Sequence, residues 1–363
     1  MARSLAAVTV AALALTVAAC APRPVQAPSG PGDGPIRYVI HVSVDGLRPD
    51  AVTRQLGALP AFARLRREAA FTDNARTDPD YSDTLPNHTA QLTGRGVTGP
   101  EGHGWTSNVD PDPDATLHAN HGAYVASVFG VVHDAGLRTA LYASKSKFVL
   151  FDQSYDADSG RRDTTGADDG RDKIDRFVYE PDTEHLVDRL AADTRQEPSA
   201  YAFVHLRDPD AAGHVWGWQL RASQPYMRAV RRADARIGEI LRLIETDGRL
   251  AGHTALIVTA DHGGTGHNHL DAEPAHYTVP FYVWAPGVPA GDLYARNART
   301  LGDPARARPG FDAALQPIRN GAAANLALAL LGLGPVPGST INAHGELHVL
   351  PDSAASVSVR VGS

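Results

Sequence analysis

The sequence predicts an α/β fold, a parallel sheet covered by helices. Three observations carry this expectation. Beyond residue 35, apolar runs rich in β-branched residues alternate with helical periodicities. The 363 residues are enough to bury one large core, and no internal repeat or second composition regime interrupts them. Three of the predicted strands end in aspartate, beyond the carboxyl ends of strands, where open parallel sheets bind ligands.

The chain opens with Arg3 and the apolar run 5–19, too short to span a bilayer comfortably and matching the core of a secretory signal. The run stops at Cys20, and Val17-Ala18-Ala19-Cys20 resembles a bacterial lipoprotein signal. An exported periplasmic or cell-envelope protein anchored by lipid at Cys20 is therefore expected, with ordinary signal cleavage as the alternative. Cys20 is the only cysteine, so disulfides within the chain are excluded and any metal site must use nitrogen and oxygen ligands. Residues 21–35 read as a flexible tether of proline, glycine and small residues.

Strands are expected over 37–45, 138–144, 200–208, 254–261 and 280–286, and helices over 58–70, 86–94, 121–136, 183–194, 223–246 and 320–332. One catalytic domain over 36–350, followed by a tail over 351–363, is the simplest account. Residues 151–182 form an insertion rich in Gly, Asp and Arg. Its DADSG opening is similar to a calcium loop, but the closing Glu is missing, so a solvated surface loop is expected. The loop 111–120 has no readable role. A formal charge of −7 with scattered Lys and Arg offers no basic patch for nucleic acid, and leaves the lipid anchor as the expected membrane contact.

The acids and histidines carry the chemistry. Asp45 precedes Gly46 at the first strand's end; Asp208, Asp210 and His214 follow the third; Asp261 and His262 precede two glycines after the fourth. An Asp-Gly after a strand is by itself an ordinary turn. Three such ends meeting in one crevice would repel without a cation between them, so a metal site is the economical explanation. Asp210 and His214 are four apart and share a helical face, able to grip one ion. Mixed Asp/His ligation points to zinc or a similar borderline ion, since calcium and magnesium prefer oxygen alone.

Five motifs in order, SVDGLRPD (43–50), DTLPNH (83–88), TGR (93–95) with HGWTSN (103–108), DPDAAGH (208–214) and TADHGG (259–264), resemble the type I phosphodiesterase/nucleotide pyrophosphatase family of the alkaline phosphatase superfamily. The resemblance runs from Tyr38 to the segment 318–339. It implies an alkaline phosphatase-like three-layer sandwich, with a mostly parallel central sheet covered by helices on both faces. It also implies two zinc ions, with manganese or iron as alternatives in one position, and a threonine that is both metal ligand and nucleophile. Carried onto this chain, Thr84, Asp45, Asp261 and His262 would hold one zinc. Asp210, His214 and one further histidine would hold the other. His269 is favoured for that place, with His276 in reserve and His267 also in the same loop.

The chemistry fits these roles. A threonine hydroxyl is a poor nucleophile at neutral pH, and metal coordination is one of the few ways to deprotonate it. Pro86 favours the helix start that fixes Thr84, whose N-terminus suits a bound anion. Asn108 resembles the family asparagine that donates to a phosphoryl oxygen. Asn87 and His88 are expected to shape the turn. His41, His205 and Asp208 are left as core groups or as supports for the ligands.

The expected substrate is a small phosphate diester or nucleotide pyrophosphate, cleaved through a phospho-threonine. Lys145 and Lys147 follow the second predicted strand. If that pair faces the metals, it resembles superfamily members that bind a dianionic phosphate monoester or a phosphonate, and the diester reading weakens. Solvated lysines at a strand exit are the alternative. Sulfate ester hydrolysis is not expected, because Thr-Leu-Pro-Asn-His replaces the Cys/Ser-x-Pro-x-Arg run of sulfatases. A non-catalytic metal- or phosphate-binding lipoprotein is the reading from another class, and it leaves the nucleophile without a purpose.

Overall fold

The structure, a computed structural model, describes residues 35–351. The expected signal, Cys20, most of the tether and nearly all of the tail lie outside the described residues. One eight-stranded sheet runs through the described chain: β1 (Tyr38–Val44), β2 (Ala70–Arg76), β3 (Thr139–Ala143), β4 (Arg176–Tyr179), β5 (Tyr201–Leu206), β6 (Thr254–Thr259), β7 (Thr278–Trp284) and β8 (Gly291–Asp292). Their order is β4-β3-β5-β1-β6-β7-β2-β8. The sheet is mostly parallel, and β7 alone runs against both its neighbours, β6 and β2.

The five expected strands are β1, β3, β5, β6 and β7. Strands β1, β5 and β6 are buried along nearly their whole lengths and read as continuous apolar runs, as central parallel strands must. β2 was hidden by its polar alternation in AFTDNAR, and its register against β7 shifts between Thr72 and Ala75. The insertion is not wholly loop: it contains β4, which extends the sheet edge beside β3.

Helices Pro60–Glu68, Thr183–Gln196 and Pro225–Thr246 pack together on one face, and Thr84–Thr93, Val128–Asp134 and Ala322–Leu330 on the other. The helix expected over 121–136 is shorter, because Gly122 at φ 76° ends the preceding turn and the Ser127 hydroxyl caps a new start at Val128. The helix Asp208–Trp216 follows β5 directly, and Asp210 N–H donates to Asp45 C=O at 3.0 Å. This bond ties the exits of two neighbouring strands together. Among the described residues, no helix is long and apolar enough to cross a membrane.

Candidate metal and phosphoryl site

β1 lies between β5 and β6, so Asp45 at its exit meets residues from both neighbours. Asp45 is fully buried, and the peptide leaving it is pinned: Gly46 C=O accepts from Trp218 Nε1 and Tyr226 Oη, each at 3.0 Å. Gly46 takes φ +70°, and a side chain there would run into Asp210 Cα at 2.8 Å. That close approach brings the Asp210 helix against the β1 exit.

The carboxylates are held by one oxygen each. Asp45 Oδ2 accepts from His205 Nε2 at 2.8 Å and pairs with Lys145 Nζ at 2.6 Å. Asp210 Oδ2 accepts from the same ammonium at 2.7 Å. Asp261 Oδ1 accepts from Gly46 N–H at 3.1 Å and His262 N–H at 2.9 Å. The other oxygens, Asp45 Oδ1, Asp210 Oδ1 and Asp261 Oδ2, are buried with no hydrogen-bond partner among the described residues. All three turn toward His262 Nε2, at 3.4, 3.9 and 3.2 Å respectively. Buried polar atoms are almost always paired, so this convergence marks a place for a cation.

The histidines are prepared in the matching way. His262 Nδ1 donates to Gly263 C=O at 2.8 Å, His269 Nδ1 to Ser82 C=O at 2.6 Å, and His214 Nδ1 to His267 C=O at 3.1 Å. A backbone carbonyl can only accept, so Nδ1 carries the proton in all three rings. Each Nε2 then presents its lone pair, which is how metal-binding histidines are oriented. Ligand atoms of Asp45, Asp261 and His262 lie within 4.8 Å of one another, as do those of Asp210, His262 and His269. His214 sits at the rim, its Nε2 3.2 Å from Asp210 Oδ1. His269 is thus brought in. His267 is exposed, and His276 Nε2 is engaged by Thr265 Oγ1 at 2.7 Å.

Thr84 begins its helix and is buried, with Oγ1 3.5 Å from His262 Nε2 and 3.4 Å from Lys145 Nζ. Asn108 Oδ1 accepts from Leu85 N–H at 3.1 Å and from Lys147 Nζ at 3.2 Å. Those bonds orient the amide so that its Nδ2 has no partner among the described residues. The lysine pair therefore lines the site and is not solvated at a strand exit.

Electrostatics without a metal are lopsided. Burial pushes Asp45 and Asp210 up, but the Lys145 ammonium and neighbouring histidines outweigh it and hold both below the usual carboxylate range. Asp261 goes the other way: burial, with Asp45 and Asp210 beside it, pushes it well above that range. Burial keeps His262 low and takes His269 down to about 2.

One support, Asn320, was not legible beforehand, and a second, His88, was expected to shape the turn. Asn320 Nδ2 bridges Asn87 Oδ1, Ala260 C=O and Asp261 C=O, each at 3.2 Å, locking the Thr84 turn to the Asp261 loop. His88 joins Thr84 C=O at 2.7 Å to Ser43 Oγ at 2.9 Å. A lone asparagine in a loop carries no periodic signal that would mark it. A second acid and histidine cluster, His133, Asp163 and Asp169, is already served by the buried Lys173 ammonium, which pairs with Asp163 and pins the insertion. The calcium-like opening is an ordinary turn in which Asp156 Oδ1 accepts from Asp158 and Ser159 N–H.

Comparison with known proteins bears on the family and the fold. Residues 39–277 match the model of the type I phosphodiesterase / nucleotide pyrophosphatase family. Over 145 residues the chain is 28% identical to GPI ethanolamine phosphate transferase 1 of Mus musculus, a stretch covering 38% of this chain and 15% of that protein's length. Murine ectonucleotide pyrophosphatase / phosphodiesterase 5, solved as an inactive variant in complex with AMP, superposes with a TM-score of 0.55 at 14% identity, over 83% of this chain and 96% of that one. A 2-O GAG sulfatase superposes at 0.54 with 12% identity, over 88% and 75%. At such identities the structural likenesses establish the shared alkaline phosphatase-like fold. The family match over most of the described chain decides membership: the chain belongs to the type I phosphodiesterase / nucleotide pyrophosphatase family.

Proposed function

We propose that this protein is an exported, zinc-dependent hydrolase that cleaves phosphate diesters or nucleotide pyrophosphates through Thr84. Family membership supports a hydrolase of phosphoester bonds. One observation carries the finer reading: three orphaned carboxylate oxygens and the Nε2 atoms of His262 and His269 gather beside a buried threonine hydroxyl, with His214 at the rim. Each aspartate offers a single oxygen, which suits the few ligands and mixed N/O donors of zinc better than the six to eight oxygens calcium takes.

In this reading Asp45, Thr84, Asp261 and His262 would hold one ion, and Asp210, His214 and His269 the other. When bound, the ions would lower the pKa of the threonine hydroxyl and neutralise charge on the phosphoryl group. Thr84 Oγ1 gives up its proton and attacks phosphorus, the bond to the alcohol or phosphate leaving group breaks on the opposite side as that group takes up a proton, and water then cleaves the Thr84 ester to release the remaining phosphate monoester and restore the hydroxyl. Asn108 Nδ2 and the Lys147 ammonium bind phosphoryl oxygens, and the start of the Thr84 helix favours the anion.

A second reading, hydrolysis of monoesters or phosphonates, is favoured by the position of Lys145 and Lys147. Two divalent ions, three aspartates and a threonine alkoxide sum to near neutrality. Two ammonium groups then leave a surplus that a dianion matches better than a monoanion. Rates on a bis-aryl phosphate and the matching aryl monoester, with Thr84→Ala alongside, separate the readings. Faster diester cleavage supports the first and faster monoester cleavage the second. Turnover surviving in Thr84→Ala removes both. Export rests on the signal ending at Cys20, and Cys20→Ser should shift the protein from the membrane to the soluble fraction.

A further inference from the structure

We infer that His205 is a positioning residue for the metal site: by donating to Asp45 Oδ2 it reserves Asp45 Oδ1 for the ion. The inference rests on the metal-site reading above and adds a residue to it. His205 lies on β5, fully buried, between Ser144 at the β3 exit and Asp45 at the β1 exit, so one hydrogen-bonded line crosses three adjacent strands.

The direction of that line is fixed by groups that can act in only one sense. Ser144 backbone N–H donates to His205 Nδ1 at 3.3 Å, while the Ser144 hydroxyl is 3.0 Å from Nδ1 and 2.8 Å from His205 C=O. Nδ1 is therefore an acceptor and the ring proton sits on Nε2, aimed at the carboxylate 2.8 Å away. Asp45 Oδ2 is thereby occupied, and Oδ1 is left bare, 3.4 Å from His262 Nε2. Lys145 also touches Oδ2, but its ammonium is divided among Asp45, Asp210 and Thr84. Among the described residues, His205 Nε2 serves only Asp45. Hydrogen bonds of this kind orient metal-binding carboxylates, and losing them typically costs about 10–100-fold in metal affinity.

The test is zinc titration of the metal-free, full-length protein against a competing chelator dye, in wild type, His205→Phe and His205→Gln. Phenylalanine keeps a ring against Phe148, whose centroid is 4.3 Å from that of His205, but cannot donate. Glutamine keeps an N–H donor near the Nε2 position. His205→Phe should weaken one of two zinc equivalents about 10–100-fold and leave the other within about threefold, while His205→Gln stays near wild type. A purely structural role would weaken both equivalents together and give no rescue by glutamine. Wild-type affinity at both sites in His205→Phe would overturn the inference. If His205→Phe does not fold, His205→Gln decides: retained two-site binding supports the inference and loss at both sites opposes it. Wild-type protein that takes up no zinc would instead overturn the metal-site reading itself.

Discussion

Replacing Lys145 with methionine should weaken the metal-free protein and be repaired by zinc. The ammonium lies 2.6 Å from Asp45 Oδ2 and 2.7 Å from Asp210 Oδ2, with its side chain 15% exposed. With an effective dielectric near 20, each contact is worth about 6 kcal/mol of Coulomb attraction. The desolvation of a lysine cancels much of that sum, and removing one partner of a buried ion pair typically costs about 3–5 kcal/mol net. Methionine retains most of the apolar stem, so packing changes little. Guanidinium unfolding of chelator-treated protein, followed by circular dichroism, should show Lys145→Met less stable by about 3–5 kcal/mol with an unchanged slope. Zinc at about a thousandfold above its dissociation constant stabilises by roughly 4 kcal/mol and should bring the variant close to the metal-free wild type. Equal midpoints for the two chelator-treated proteins would refute the claim that Lys145 neutralises this pair of carboxylates.

Asn320→Ala removes three buried hydrogen bonds between the Thr84 turn and the Asp261 loop, and should cost about 2–3 kcal/mol in a urea melt; Asn320→Asp should not restore it, because the amide donates to all three acceptors. Zinc uptake should release protons, readable with an indicator dye in weak buffer, because burial beside Asp45 and Asp210 raises Asp261 and the ion competes with a proton for its carboxylate. Affinity should accordingly rise with pH through Asp261's elevated value, and a pH-independent affinity would contradict that assignment. Burial takes His41 and His103 from 6.5 down to about 3. The unfolded chain gains those protons as pH falls through 6.5 and the folded one does not, so stability should fall from pH 6.5 toward 3, checked by denaturation midpoints at several pH values.

The parts of this fold legible in the sequence are those with local signals. β1, β5 and β6 announce themselves as apolar runs ending in acid, and Asp45, Asp210, Asp261 and His262 fall at the boundaries those runs define. β2 and β8 do not: β2 alternates polar residues, and β8 is two residues long. Lys145 could not be placed because a lysine after a strand reaches either solvent or site, and only the positions of Asp45 and Asp210 decide it. His205 read as a supporting group because it lies mid-strand, but its partner depends on which strand lies beside β5, a fact of topology. Asn320 is more than two hundred residues from Asn87, and its role exists only after the chain has closed around the site.

The most direct test of the account is to mix zinc-loaded protein with an aryl phosphate, quench in acid within the first turnovers, and sequence the peptide carrying Thr84 by mass spectrometry. Thr84 should carry the phosphoryl group, with its remaining aryl group when the substrate is a diester, absent without substrate and lost together with turnover in Thr84→Ala. An unmodified Thr84 alongside undiminished turnover in Thr84→Ala would contradict it, and would assign the attack to water.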